Sequence, residues 1–85
     1  MVGNSDKVGT ITHFYSKIGV GIIKLNKELK KGVNINIKGN KTDFKQTVVE
    51  IQLDHKDMES GKKGQEIGVK LNEKVREGDE VFLVK

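Results

Sequence analysis

Cysteine, proline and tryptophan are all missing from this chain of 85 residues. Without cysteine there is neither a disulfide framework nor a thiolate metal site, a composition that suits a reducing cytoplasm. The two histidines are too few to build a structural zinc site by themselves. Long apolar runs are missing as well. None approaches the ~20 residues that cross a bilayer, and Met1 to Lys7 lacks the apolar centre of a signal peptide. The expectation is therefore a soluble, cytoplasmic protein that makes no use of a membrane. The length allows one domain only, in which roughly 60 to 65% of the unfolded surface is hidden and the stability margin is thin.

What is present is charge, unevenly spread. The net charge is +4. Residues 1–49 hold nine lysines against Asp6, Glu28 and Asp43, a balance of +6, whereas residues 50–85 hold seven bases against nine acids, a balance of −2. Lysines on outward positions of a small β protein confer solubility and guard edge strands. The same asymmetry also offers one half of the chain to an anionic partner.

Residues 1–7 read as a loose leader and residues 8–85 as the domain. Val8 to Tyr15 is rich in β-branched and aromatic residues, but Val8 and Ile11 fall on opposite sides of a strict alternation, so a bulge near Gly9 is expected. Ser16 to Gly19 turn the chain into Val20 to Leu25. That strand carries hydrophobes on both faces, which calls for an outer contact as well as a core. Asn26 to Gly32 form a lysine-rich turn, after which Val33, Ile35 and Ile37 alternate cleanly with polar residues.

Gly39 to Asp43 is a turn cluster that leads into residues 44–71, read as two strands joined by a charged connection. Thr47, Val49, Ile51 and Leu53 share one side, taken as the core side, and Val48, Glu50, Gln52 and Asp54 the other. Ile67, Val69 and Leu71 repeat the two-residue period, with Asp57 to Lys63 as a candidate helical turn between. Two segments echo one another: Leu29 to Ile37 and Val75 to Leu83 each place a hydrophobe three residues before a glycine, Gly32 or Gly78, and alternating core residues after it. Glycine takes positive φ where other residues resist it, so both read as corners that reverse the chain into a strand. Six strands at even spacing, with Val81 to Val84 the last, no proline and no long amphipathic helical window indicate an all-β barrel or sandwich.

The run from Ser60 to Leu71, with its Gly61-x-x-Gly64-x-x-Ile67-Gly68-Val69 pattern, resembles a segment of the second domain of elongation factor Tu. The similarity extends to the Leu29 to Gly39 corner and to Val75-x-x-Gly78-Asp79, and more narrowly to small stand-alone proteins called translation elongation factor-like. The opening from Val8 to Leu25 is similar also to the C-terminal barrel of collagenase-like peptidases. The resemblance implies an all-β fold, a small six-stranded closed or partly closed β-barrel of the translation-factor type. It also implies an outer surface that meets RNA of the translation apparatus: tRNA, rRNA or the ribosome. In the elongation factors an acid contacts the aminoacyl end of tRNA; Gln52 stands at the matching position here.

GTP is not expected as a ligand. A phosphate loop needs a serine or threonine after its glycine-flanked lysine, and Gly61-Lys62-Lys63-Gly64 has none, which reads as a plain turn. Neither His13 nor His55 has a nucleophile pattern beside it. Asp54, Asp57 and Glu59 around His55 lack the spacing and central glycine of a calcium loop. No catalytic residue, cofactor or metal is therefore assigned. Of the aromatics, Phe14 and Phe82 are core candidates, and Tyr15 and Phe44 lie beside lysines where stacking on bases is open to them. The leading reading is a non-catalytic binding module whose RNA or partner contacts are Lys30, Lys31, Lys38, Lys41, Lys45, Gln52, Lys62 and Lys63. The alternative is a protein-docking accessory barrel like that of the collagenase-like peptidases.

Overall fold

The computed structural model describes residues 7–84, so the expected leader lies outside them apart from Lys7. Ten strands follow in order: β1 Lys7–Tyr15, β2 Val20–Leu25, β3 Leu29–Lys30, β4 Asn34–Lys38, β5 Asp43–Thr47, β6 Ile51–Leu53, β7 Lys56–Met58, β8 Ser60–Gly61, β9 Glu66–Lys70 and β10 Glu80–Leu83. No helix forms among the described residues. Eight strands make one sheet in the order β5-β4-β10-β1-β2-β9-β6-β7, and β3 pairs with β8 in a small second one. All pairings are antiparallel.

The glycine-marked corners form as the sequence implies. Gly32 and Gly78 take φ of 91° and 93°, and each delivers the chain into a strand, β4 and β10. Those strands then pair with each other, Ile37 opposite Val81 and Ile35 opposite Leu83. Leu29 and Val75, the hydrophobes before the two glycines, are both buried. The bulge in β1 is present too: the ladder to β10 slips between Lys7 and Gly9, which lets Val8 and Ile11 both face inward with no exposure.

Residues 44–54 depart from the single strand read in the sequence. Phe44, Gln46 and Val48 face inward, and after Val49 and Glu50, which with Val48 lie outside any strand, Ile51 does so again. The inward positions thus step by three between Val48 and Ile51, and the two-residue period changes phase. Thr47 and Val49 are exposed, Val49 by 62%, while Val48 is completely buried. Two adjacent valines leave this phase open to alternation alone. The main chain fixes it: Val48 N–H donates to the Val33 carbonyl (2.8 Å) and Gly32 N–H to the Val48 carbonyl (2.7 Å), so Val48 prolongs the pairing of β5 with β4. Of the other expected core positions, Ile35, Ile37, Ile51, Ile67, Val69 and Leu71 are buried, and Val33 and Leu53 pack partly buried against them.

The central hairpin survives in its second half only. Ile51 pairs with Val69 and Gln52 with Gly68. The expected helical turn over residues 57–63 is instead strand, for β7 folds back on β6 and β8 pairs with β3. Nor does the large sheet close into a barrel, since its ladder ends at β5 on one side and β7 on the other. Side-chain amide bonds span part of the gap. Gln46 Nε2 donates to the Lys70 carbonyl (2.8 Å), and Asn72 N–H donates to Gln46 Oε1 (2.7 Å), tying β5 to the end of β9.

Candidate functional site

The lysines singled out in the sequence are exposed, and they fall into separate groups. Lys30 and Lys31 sit in and just after β3, whose register sets Leu29 opposite Gly61 and so brings Lys62 and Lys63 to the same corner. Acids interleave with them there. Lys31 N–H donates to the Glu59 carbonyl (3.0 Å), and Glu28 precedes Leu29 where Lys62 follows Gly61. Lys38 and Lys41 lie at the other end of β4, a strand of five residues and so about 15 Å long, from the Gly32 corner that follows Lys31. Lys38 pairs in register with Glu80 on one side and Asp43 on the other, and Lys45 with Asn36. Gly61 ends β8, and residues 62–65 make a plain turn closed by a bond from Gln65 N–H to the Lys62 carbonyl (3.0 Å).

A cleft of about 640 Å³ opens beside Lys38 and Lys41, between the turn after β4 and the Arg76 to Glu80 corner. Its inner wall is Asp79, 5% exposed, whose Oδ2 accepts the Arg76 N–H at 2.9 Å. This carboxylate lies against Gly39 so closely that a Cβ there would overlap Oδ1. Asp79 therefore packs its own corner closely against the turn after β4, and its negative charge offsets the cations at the mouth.

Gln52 belongs to a different place. On the outer face of the sheet, opposite the core, β2 carries Val20 and Ile22, both half-buried. Ile22 and Gln52 flank Gly68 on its two sides. Because Gly68 has no side chain, the sheet is hollowed at that point into a groove of about 200 Å³ lined by Ile18, Val20, Glu50, Gln52, Gly68 and Lys70. A Cβ on Gly68 would stand 3.2 Å from Val20 Cγ1. Hydrogen bonds hold the rim. Lys70 Nζ donates to the Ile18 carbonyl (2.8 Å), and Gln52 Nε2 lies 3.4 Å from Glu50 Oε1 and 3.3 Å from Asp57 Oδ1. The hydrophobes on both faces of β2 were the one signal in the sequence that foretold this groove.

Among the described residues three large hydrophobic side chains are strongly exposed: Tyr15 by 48%, Ile18 by 57% and Val49 by 62%. Their relation to the groove differs. Ile18 lines it, Tyr15 is the cross-strand partner of Val20, and Val49 precedes Glu50. Tyr15 also stacks at a tilt on His13, ring centroids 4.4 Å apart. Phe44, by contrast, is core, and Phe14 packs partly buried against the core. His13 Nδ1 lies 3.3 Å from Glu77 Oε2 on open surface. His55 forms, with Asp54, the tip of the β6–β7 turn. No three metal-ligating side chains converge among the described residues, and no described helix is long and apolar enough to cross a membrane.

Comparison with known proteins gives this geometry a context. No protein-family model matches the chain. It is 45% identical, over 98% of its length, to an uncharacterized protease of Methanocaldococcus jannaschii, and it spans 22% of the length of that relative. Among solved structures it superposes on the C-terminal domain of a Geobacillus thermoleovorans protein described as a U32 peptidase, with a TM-score of 0.90. The match covers 100% of this chain and 99% of that domain at 10% identity. The selenomethionine variant of the same domain gives 0.85 over 89% and 96%, at 11% identity. The chain thus shares the fold of a peptidase C-terminal domain, which agrees with the second resemblance drawn from the sequence. The likeness to elongation factor Tu gains no support from these relatives.

Proposed function

We propose that this all-β unit is a non-catalytic accessory module of the U32-peptidase kind, whose work is to bind protein. The observation that carries the reading is the 45% identity that runs through nearly the whole chain while matching only 22% of a protease. A module of this size is one part of a larger machine in that relative, and the chemistry of cleavage belongs to other residues. In this reading the sheet serves as a partly closed barrel. Only three residues take the chain from β5, at one edge, to β6, beside the other edge, and Gln46 bridges to the end of β9. The separated, acid-interleaved lysines give RNA binding no single basic face, so the protein-docking reading leads.

The test is association with the M. jannaschii relative shortened by the matched segment. Sedimentation of the mixture is expected to show a complex heavier than either component. Two species that sediment independently, each folded by circular dichroism, would remove the reading.

A further inference from the structure

We infer that the groove over Gly68 is the docking site, and that its occupant is an extended segment of the peptidase body bearing one aliphatic anchor and a neighbouring lysine or arginine. The inference rests on the proposed function for the identity of the partner, and on the groove alone for its chemistry. A hollow of about 200 Å³ floored by Gly68, walled on one part by Val20 and Ile18 and on the rest by Glu50, Gln52 and Lys70, accepts one aliphatic side chain with a polar neighbour and little more. The strongly exposed Ile18 lines it, and the exposed Tyr15 stands beside it as the register partner of Val20, so that exposed hydrophobic surface adjoins the hollow. Glu50, Gln52 and Lys70 line it beside these hydrophobes, so an occupant meets apolar and polar groups together.

Charge orients the occupant. On the β6–β7 side stand Glu50 and Asp57, joined through Gln52, with Asp54 at the tip of the same hairpin and Lys56 its one lysine. On the opposite side is the Lys70 ammonium, which already donates to the Ile18 carbonyl. A partner with its cation over β6 and β7 gains the carboxylates, while the reverse orientation sets like charges together. The lysine corner at residues 30, 31, 62 and 63 plays no part.

The experiment titrates the intact protein against overlapping synthetic peptides covering the part of the M. jannaschii relative that this chain does not match, read by fluorescence anisotropy. One basic-aliphatic stretch is expected to bind. Ile18→Ser and Glu50→Lys, both at exposed side chains, are each expected to weaken it about tenfold or more, as loss of an interface anchor does. Lys30→Gln with Lys62→Gln should leave it unchanged, and all variants should keep the parent melting temperature. Binding that survives Ile18→Ser and Glu50→Lys overturns this inference while leaving protein docking in place. Self-association abolished by Ile18→Ser, with no peptide bound, makes a second copy the occupant and overturns it as well. Failure of every peptide, where the shortened relative still associates, refutes the extended segment; failure of both removes the proposed function itself.

Discussion

At the scale of single residues, what holds this molecule is a set of side chains whose burial is complete and a few places where a side chain must be absent. Ile51 has no exposure, whereas Val49 two residues earlier is 62% exposed. Ile51→Ala should therefore cost about 2 to 5 kcal/mol, and Val49→Ala should stay within about 0.5 kcal/mol of the parent, both read from urea unfolding. Equal costs would mean that the phase change between Val48 and Ile51 is misplaced. Gly39 supplies a second case. A methyl there would overlap Asp79 Oδ1, and that carboxylate is held by the Arg76 N–H, so Gly39→Ala is expected to cost about 1 to 3 kcal/mol. Gly32 and Gly78 were legible in the sequence because each stands three residues after a hydrophobe and before an alternating run. Gly39 was read only as a turn residue, since its partner is 40 positions away in the chain. Contacts of that kind have no local pattern to betray them.

Among the elements, the β6–β7 hairpin carries visible backbone tension. Leu53 pairs with Lys56 across a two-residue turn in which Asp54 and His55 have φ of 53° and 66°. Asparagine followed by glycine suits such a turn far better. The double substitution Asp54→Asn with His55→Gly is expected to raise stability by about 1 kcal/mol, measured by thermal melting, with no change in fold. Gln46 is the counterpart on the other edge. Its amide satisfies the Lys70 carbonyl and the Asn72 N–H, and Gln46→Leu should cost about 1 to 3 kcal/mol by leaving both without their partner. Strand positions were largely readable because β-branched alternation and glycine corners mark them. The pairing was not. The run of residues 44–54 looks continuous, yet β5 joins β4 while β6 joins β9, since closing the core from two sides outweighs the local period.

Taken whole, the described residues present a hollow over Gly68 on the outer face, part apolar and part polar, and lysines in dispersed groups. The sequence hinted at the hollow through the hydrophobes on both faces of Val20 to Leu25, and Gln52 was named from a resemblance. Its other walls, Ile18, Glu50 and Lys70, come from three separate segments, so only the folded sheet assembles them. A docking surface of this kind implies binding that changes little with salt apart from the Glu50 and Asp57 contribution, whereas phosphate contacts would weaken steeply. The most direct test is hydrogen–deuterium exchange of this chain, free and joined in place of the matched segment of the M. jannaschii relative. An accessory module docked through its outer groove should show slowed exchange at residues 18–22, 50–52 and 66–70 in the joined form, and none at residues 30–31 and 62–63. Identical exchange in the two forms would contradict the account.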